Sequence, residues 1–202
     1  CRADEIIFTS CGSESDNLAI RGAAYAMREK TGAKWILASR TEHPAVTKTL
    51  LHLEKYEGFL VEWLDVNEQG MVTPEVVSKA ICDNTAIVSV MYANNEIGTI
   101  NPIKEIAEIC RVNKILFHTD AVQAAAYLPL DVNELGVDMM SLGAHKFYGP
   151  KGVGALYVRK GTPLVPHLTG GGQEFNLRAG TQNVPYIVGF AEALRVTEDE
   201  RE

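Results

Sequence analysis

Short apolar runs alternate with segments of helical periodicity along the chain. The runs are a few residues long, which is the length of a buried β-strand and far below the roughly 20 residues of a membrane-spanning helix. Between the runs, apolar residues recur near every 3.6 positions, and several segments open with a proline that favours the first turn of a helix. This alternation predicts an α/β fold, a three-layer sandwich in which helices cover both faces of a mostly parallel sheet.

The pattern predicts seven strands and five helices in one domain. The strands are expected at residues 6–9, 35–39, 60–64, 86–92, 115–118, 139–142 and 154–158. The helices are expected at residues 14–30, 44–56, 74–81 and 102–112, with a last helical pattern over 192–202. In sheets of this kind, ligands bind beyond the carboxyl ends of the strands, so the residues that follow each strand are the ones that bear on function.

The composition is that of an ordinary globular protein, since 46% of the 202 residues are hydrophobic and 22% are charged. The net charge of -7 is spread along the chain, which argues against a nucleic-acid partner. No apolar stretch reaches the length of a membrane span, and the first residues do not resemble a signal peptide. The four cysteines form no C-x-x-C pair and lack zinc-ligand spacing, so we expect free thiols, no metal site and a cytoplasmic location.

Small polar residues follow the first two predicted strands. Gly12 and Ser13 open a helix, where free backbone N–H groups can bind a phosphate, although a plain helix cap with Ser13 as the capping residue explains them equally well. His43 stands just before Pro44 at the next strand end. It is either a polar loop residue or a group that stacks on a flat ring or moves protons.

The next three strand ends carry amides, an acid and a lysine. Asn94 and Asn95 either form a turn or donate a hydrogen bond to an oxygen of a ligand. Asp120 ends a buried strand, where an acid requires a cationic or hydrogen-bonding partner unless it caps the next helix. Lys146 lies in a loop rich in glycine and histidine, and such a lysine is a candidate Schiff-base amine. Together these residues supply what pyridoxal phosphate requires: an amine, an acid for its ring nitrogen, an aromatic face and a phosphate cradle.

The sequence resembles a known family, the NifS-like cysteine desulfurases of the class V aminotransferases. Members of this family have the large-domain fold of fold type I pyridoxal-phosphate enzymes. The resemblance covers nearly the whole chain. It is carried by FTSCGSESDNLAI at 8–20, TEHPAV at 41–46, VSVMYANNEIGTI at 88–100, FHTDAVQA at 117–124, SLGAHKFYGPKGVGALYVRKG at 141–161 and GGGQEFNLRAGTQNVPYIVG at 170–189.

The resemblance implies a role for each matching residue toward pyridoxal 5'-phosphate. Lys146 would bind the cofactor covalently, Asp120 would pair with its ring nitrogen, and His43 would stack on its ring. The other implied cofactor ligands are Asn95 and Gln123 at the phenolic oxygen, with Asn95 also on the substrate side, and Gly12, Ser13 and His145 at the phosphate. In a homodimer Thr181 would reach the neighbouring subunit's phosphate, and Arg178 would line the substrate side.

The implied reaction converts L-cysteine to L-alanine and delivers sulfur as an enzyme persulfide to an iron–sulfur scaffold or another acceptor protein. The family's persulfide cysteine lies well downstream of Thr181, so we expect residues 1–202 to form only the cofactor-binding large domain, without the N-terminal segment and the small domain, and to be inactive alone. Cys11 falls in the phosphate turn, and Cys82 and Cys110 fall in predicted helices, so none of them fills the role. At Gly143 many members have a serine that binds the phosphate.

Three alternatives remain. Another enzyme of the same fold, such as a selenocysteine lyase, a cysteine-sulfinate desulfurase or an aminotransferase, would share these residues. A non-catalytic cofactor-holding scaffold would share them as well. A nucleotide-binding Rossmann domain requires a G-x-G-x-x-G between a strand and a helix, and none follows the first strand.

Overall fold

The computed structural model describes residues 1–201 and contains one seven-stranded sheet. The strands are Ile6–Thr9 (β1), Trp35–Ser39 (β2), Leu60–Leu64 (β3), Thr85–Ser89 (β4), Leu116–Asp120 (β5), Met139–Gly143 (β6) and Gly154–Val158 (β7). Their order across the sheet is β1-β7-β6-β5-β4-β2-β3. Only β7 runs antiparallel to its neighbours, so the other six strands present their carboxyl ends at one edge.

Six α-helices and four short 3-10 turns complete the described residues. The helices are Gly12–Thr31 (α1), Pro44–Glu57 (α2), Pro74–Ala80 (α3), Ile103–Val112 (α4), Val132–Leu135 (α5) and Val184–Asp199 (α6). The 3-10 turns are Ala3–Glu5, Ala124–Ala126, Ala144–Lys146 and Glu174–Asn176. Within residues 1–201, none of the helices is both long enough and apolar enough to cross a bilayer.

Two apolar cores lie on opposite faces of the sheet, as the three-layer prediction requires. Ile36 and Ala38 of β2 pack in the core formed with α1 and α2. Leu37, between them, points to the other core, which contains side chains of α3, α4, α5 and α6. Because successive side chains of a strand alternate between faces, a strand buried on both sides is apolar throughout. This explains why the strands appear in the sequence as continuous apolar runs.

The structure corrects several predicted boundaries. β4 ends at Ser89 rather than at residue 92, and β5 runs two residues further, to Asp120. The last helix, expected over 192–202, is Val184–Asp199, because Pro185 lies in its first turn and the segment before residue 192 was not recognised as helical. Pro102 precedes α4 as its N-cap instead of lying in its first turn.

The start of α1 and one cysteine also differ from expectation. Cys11 is the N-cap of α1 and Ser13 lies within the first turn, so Ser13 is not the capping residue. Cys82 lies beyond the end of α3 and is exposed, so it is not a buried helical residue. Cys110 is buried in α4 as predicted, and its burial raises the pKa of its thiol to about 12.

Gly154 allows β7 to pass close to the start of α1. A Cβ atom built there would lie 2.6 Å from the carbonyl carbon of Cys11 and 2.8 Å from the carbonyl oxygen of Leu142. Both atoms belong to the backbone and cannot rotate away. Since Cys11 precedes the phosphate-binding candidates Gly12 and Ser13, a residue without a side chain at position 154 fixes where that turn lies.

We expect Gly154→Ala to lower the free energy of unfolding by about 1 to 3 kcal/mol, the usual cost of overpacking. Gly171→Ala is the matched control, because its new methyl group would meet only the mobile end of the Gln173 side chain. Denaturant unfolding of both variants measures the difference. Equal stability of the two variants would show that the close approach at Gly154 does not constrain the fold.

Candidate active site

A cavity of about 220 Å³ opens at the carboxyl edge of the sheet. Eight of the ten residues predicted from the sequence line it together: Gly12, Ser13, His43, Asn95, Asp120, Gln123, His145 and Lys146. They come from five separate strand ends, which the mostly parallel sheet brings to one edge. Cys11, Asp16, Met91 and Val122 complete the lining.

Asp120 is the last residue of β5 and is 4% exposed. One carboxylate oxygen accepts the backbone N–H of Val122 at 2.9 Å, and within residues 1–201 the carboxylate forms no ion pair. Burial raises the pKa of Asp120, while the Val122 hydrogen bond and the nearby His43 and Lys146 oppose the shift. A buried carboxylate of this kind is suited to pair with a cationic ligand atom.

His43 is the N-cap of α2, and its position is fixed by the helix that it begins. Its Nδ1 accepts the backbone N–H of Ala45 at 3.1 Å, so Nε2 carries the proton when the ring is neutral. Pro44 at the first helical position sets the direction in which the chain enters α2. The ring therefore lies at the cavity in a defined orientation.

The start of α1 forms one end of the cavity. Gly12 and Ser13 occupy its first two positions, where backbone N–H groups have no partner within the helix and favour an anion. Gly143 of β6 lies directly behind them, since a Cβ atom there would be 3.3 Å from the backbone nitrogen of Gly12. The close packing of β6 against this turn fixes the start of α1 at the end of the cavity that Gly12 and Ser13 line.

Lys146 and His145 lie in the 3-10 turn that follows β6, and both are exposed. Burial of part of its ring lowers the pKa of His145, and the adjacent Lys146 and Lys151 lower it further. His145 is therefore neutral at physiological pH and can donate or accept a hydrogen bond. The turn presents the amine of Lys146 to the same cavity that Asp120 lines.

The two consecutive amides after β4 have different roles. Asn94 is buried and holds the loop: it donates to the carbonyl oxygen of Thr41 at 2.8 Å and accepts the backbone N–H groups of Glu96 and Ile97. Asn95 is exposed and lines the cavity. Of the two alternatives posed from the sequence, Asn94 forms the turn, and Asn95 lies where it could contact a ligand.

Two buried acids of the site were not identified from the sequence. Asp16 of α1 is 1% exposed and lines the cavity, and Glu42, 7% exposed, accepts the backbone N–H of Met91 at 2.6 Å. Burial, followed by repulsion from Asp120, raises the pKa of both carboxyls well above the ordinary values. Asp16 lies one helical turn before Ile20, on the buried face of α1, and that spacing was the available clue.

The family model described as aminotransferase class-V matches residues 1–201. The chain belongs to the class-V aminotransferase family. A cysteine desulfurase IscS from Dictyoglomus turgidum is 51% identical over 195 residues, which are 96% of this chain and 49% of that protein.

Solved structures of similar proteins share the fold. A structure titled NifS-like protein superposes with a TM-score of 0.92 at 44% identity, covering 98% of this chain and 54% of the other. A structure titled SspA in complex with cysteine gives a TM-score of 0.90 at 41% identity, covering 96% of this chain and 56% of the other. This class-V aminotransferase chain therefore spans about half the length of the relatives it matches, and the mostly parallel α/β fold predicted from its sequence is confirmed.

The two remaining predicted residues of this class-V aminotransferase lie outside the main cavity. Thr181 and Arg178 line a neighbouring cavity of about 220 Å³ at the end of β1. Arg178 donates to both carboxylate oxygens of Glu14, at 2.8 and 3.2 Å, and each side chain is 19% exposed. Burial alone would hinder ionisation of Glu14, but the hydrogen bonds from Arg178 and Ser10 outweigh it and leave the pKa below the ordinary value.

This ion pair joins two parts of the family member that are distant in sequence. Glu14 lies in the first turn of α1, next to Ser13, whereas Arg178 lies in the loop that carries Thr181. In the same loop the side chain of Glu174 accepts the backbone N–H of Phe8 at 2.8 Å. Both contacts attach residues 174–181 to β1 and α1, next to the end of the main cavity that Gly12 and Ser13 line.

We expect Arg178→Gln to lower the free energy of unfolding by about 1 to 3 kcal/mol, because it leaves a mostly buried carboxylate without its charged donor. Hydrogen exchange of residues 170–183 should accelerate at the same time. Arg195→Gln is the matched control, since the Arg195–Glu192 pair is about 60% exposed and should contribute little. Unchanged exchange in Arg178→Gln would show that the pair does not hold the loop.

Proposed function

We propose that this protein is a pyridoxal-phosphate-dependent cysteine desulfurase that converts L-cysteine to L-alanine and passes the sulfur on as an enzyme persulfide. The observation that carries the proposal is the single cavity in which the Lys146 amine, the buried Asp120 carboxylate, the His43 ring and the start of α1 lie together. The relatives support the substrate, since one is a cysteine desulfurase and a structural neighbour was solved in complex with cysteine.

The residues of the cavity fit the cofactor. Asp120 lacks a cationic partner in the described chain, and the amide oxygen of Gln123 is buried without a hydrogen-bond partner, so both have unused capacity for a ligand. The free N–H groups at Gly12 and Ser13 suit a phosphate, with His145 beside them. Asn95 and Gln123 would contact the phenolic oxygen and His43 the face of the ring.

When bound, pyridoxal phosphate supplies an electron sink for the charge that develops at the α-carbon of an amino acid. Asp120 would keep the ring nitrogen protonated by pairing with it, which is what makes the sink effective. His43 would contact the face of the ring, and the hydrogen bond from the backbone of Ala45 fixes its own position. The start of α1 would anchor the phosphate so that the reactive end faces Lys146.

Lys146 would hold the cofactor through its side-chain amine, and as a free amine it would be the base that takes the α-proton of cysteine. A thiolate of the enzyme then attacks the sulfur of the substrate, so that the C–S bond breaks and an S–S bond forms. Cysteine and an enzyme thiol thereby become alanine and an enzyme persulfide, with atoms and electrons balanced.

The thiol that accepts sulfur is proposed to lie outside residues 1–202. Cys110 is buried and has its pKa raised to about 12, which prevents thiolate formation at physiological pH. Cys11 caps α1 at the phosphate end, where its place is structural. We accordingly propose that residues 1–202 are the cofactor-binding large domain of a longer enzyme.

We also propose an oligomeric state, an acceptor protein and a compartment for the enzyme. Thr181 is exposed and faces a cavity other than the one lined by Lys146, which supports a homodimer in which it reaches the partner's phosphate. An iron–sulfur scaffold or another sulfur-acceptor protein would take the persulfide sulfur. We place the enzyme in the cytoplasm, because its thiols are all free and a reducing compartment keeps them so.

We expect added pyridoxal phosphate to give a visible absorption band that Lys146→Ala abolishes, because the band arises from the covalent bond to the lysine amine. Reduction with borohydride followed by peptide mass analysis should locate the cofactor on Lys146. Lys104→Ala on the exposed side of α4 is the control and should keep the band. A band of equal strength in Lys146→Ala would refute the assignment of the amine.

Release of alanine from L-cysteine tests the reaction itself. The enzyme should form alanine and sulfide in the presence of a thiol reductant, and Asp120→Ala should reduce the rate by at least 100-fold, the scale on which one charge-stabilising group acts. A much higher rate with L-selenocysteine than with L-cysteine would instead identify a selenocysteine lyase. Absence of alanine with both substrates from a cofactor-loaded full-length enzyme would contradict both.

A further inference from the structure

A row of buried polar side chains crosses the sheet beneath the main cavity. His118 of β5 is fully buried, and its Nδ1 and Nε2 lie 2.9 Å from the hydroxyl oxygens of Ser89 and Ser141. These serines belong to β4 and β6, the strands on either side. His118 and Asp120 are two residues apart in β5 and point to the same face, toward α1.

Asp16 lies at the end of this row, where α1 packs on the sheet. One of its carboxylate oxygens is 3.7 Å from Nε2 of His118 and has no hydrogen-bond partner. Burial lowers the pKa of His118 to about 3, so its ring is neutral and supplies no positive charge. Both ring nitrogens are already engaged by serines, and His118 therefore cannot stabilise an ionised Asp16.

Asp16 and Asp120 are stabilised unequally as anions. Asp120 accepts the N–H of Val122 and faces His43 and Lys146, which carry or can carry positive charge. Asp16 has only the nearby Ser141 hydroxyl in its favour. Two neighbouring carboxyls in a buried site do not ionise together, and the proton stays on the one with the weaker support.

We propose that Asp16 is a positioning residue for Asp120: it is a neutral carboxylic acid packed against the end of β5, and it leaves the negative charge of the buried site on Asp120. The inference rests on the proposed function, in which that charge meets the ring nitrogen of the cofactor. Through this arrangement the charge of Asp120 is set before the cofactor binds. Asp16 itself need not touch the cofactor.

The titration of Asp16 depends on the groups that face it. From the packed elements these are His118 and Asp120 of β5, Glu42 after β2, Cys11 at the start of α1 and the hydroxyl of Ser141 of β6. Glu42 is also buried, and one of its oxygens has no partner, so it adds a second acid rather than a cation. No group in this set, all within residues 1–201, offers Asp16 a positive charge at neutral pH.

The test compares unfolding of wild type and Asp16→Asn without cofactor between pH 4 and pH 9. A carboxyl that keeps its proton in the folded state contributes stability at low pH, and this is lost as the pH rises from the unfolded pKa to the folded pKa. Relative to Asp16→Asn, wild type should therefore lose up to about tenfold in its folding equilibrium constant per pH unit across that window. Asp83→Asn, at an exposed position, is the control and should parallel wild type.

A second variant tests the link to Asp120. Asp120→Asn removes the repulsion, so the pH-dependent loss caused by Asp16 should end at a lower pH and become smaller. Asp16→Ala, which removes the packed carboxyl, should weaken cofactor binding more than Asp16→Asn does, because the amide preserves the neutral form. Parallel stability curves for wild type and Asp16→Asn, or a stability difference that grows in favour of wild type with rising pH, would overturn the inference.

Failure of the inference and failure of the proposed function can be told apart. The stability curves are measured without cofactor, so they report the proton on Asp16 even if the protein never binds pyridoxal phosphate. An intact cofactor band in wild type together with parallel stability curves would remove the inference alone. If the stability curves of wild type and Asp16→Asn diverge as expected but no cofactor band forms, Asp16 is neutral but has no role toward a cofactor.

Discussion

The site depends on the burial of one carboxylate, Asp120, at the edge of the sheet, where His43 and Lys146 lie nearby but form no ion pair with it within the described residues. Such burial is unfavourable in an isolated domain, and a hydrogen bond from Val122 offsets it only in part. The surrounding acids Asp16 and Glu42 raise the cost if they ionise. The arrangement costs less when those acids are neutral, and under the proposed function the ring nitrogen of the cofactor would take up the charge of Asp120.

Asp120 lies at the ligand-binding edge of the sheet because the strands are mostly parallel. Six carboxyl ends share one edge, and the turns after them carry His43, Asn95, Asp120 and Lys146 to a common cavity. Gly154 and Gly143 bring β7 and β6 close to the start of α1, so that the helix end and the acid lie within one ligand's reach. The end of the cavity lined by Gly12 and Ser13 is further held by Arg178, which joins a late loop to Glu14 of α1.

Much of this could be predicted from the sequence. β1, β2, β3 and β7 match their predicted bounds, because each is an apolar run bordered by polar or glycine-rich turns. Eight of the predicted ligand-facing residues share a cavity, since residues just past parallel strands must meet at one edge. The start of α6 was missed because its first two turns contain both a proline and a glycine, which weaken the helical pattern.

The buried acids were missed for a different reason. Acidic residues are common in the first turns of helices, where they complement the helix dipole, so Asp16 resembles an ordinary solvent-facing residue beside Glu14. Only the packing of α1 on β5 and β6 shows the difference between the two acids. Glu14 faces the loop that carries Arg178, whereas Asp16 is buried against the sheet. Sequence alone does not distinguish a charge that favours the helix from a proton-bearing acid beneath the site.

The most direct test of the account is the affinity of the protein for pyridoxal phosphate and for an analogue in which a C–H group replaces the ring nitrogen. If Asp120 is held charged for that nitrogen, wild type should bind the analogue at least about tenfold more weakly, a difference of about 1.4 kcal/mol. In Asp120→Asn the two ligands should bind nearly alike. Equal affinity of wild type for both ligands would contradict the claim that the buried charge of Asp120 organises the site.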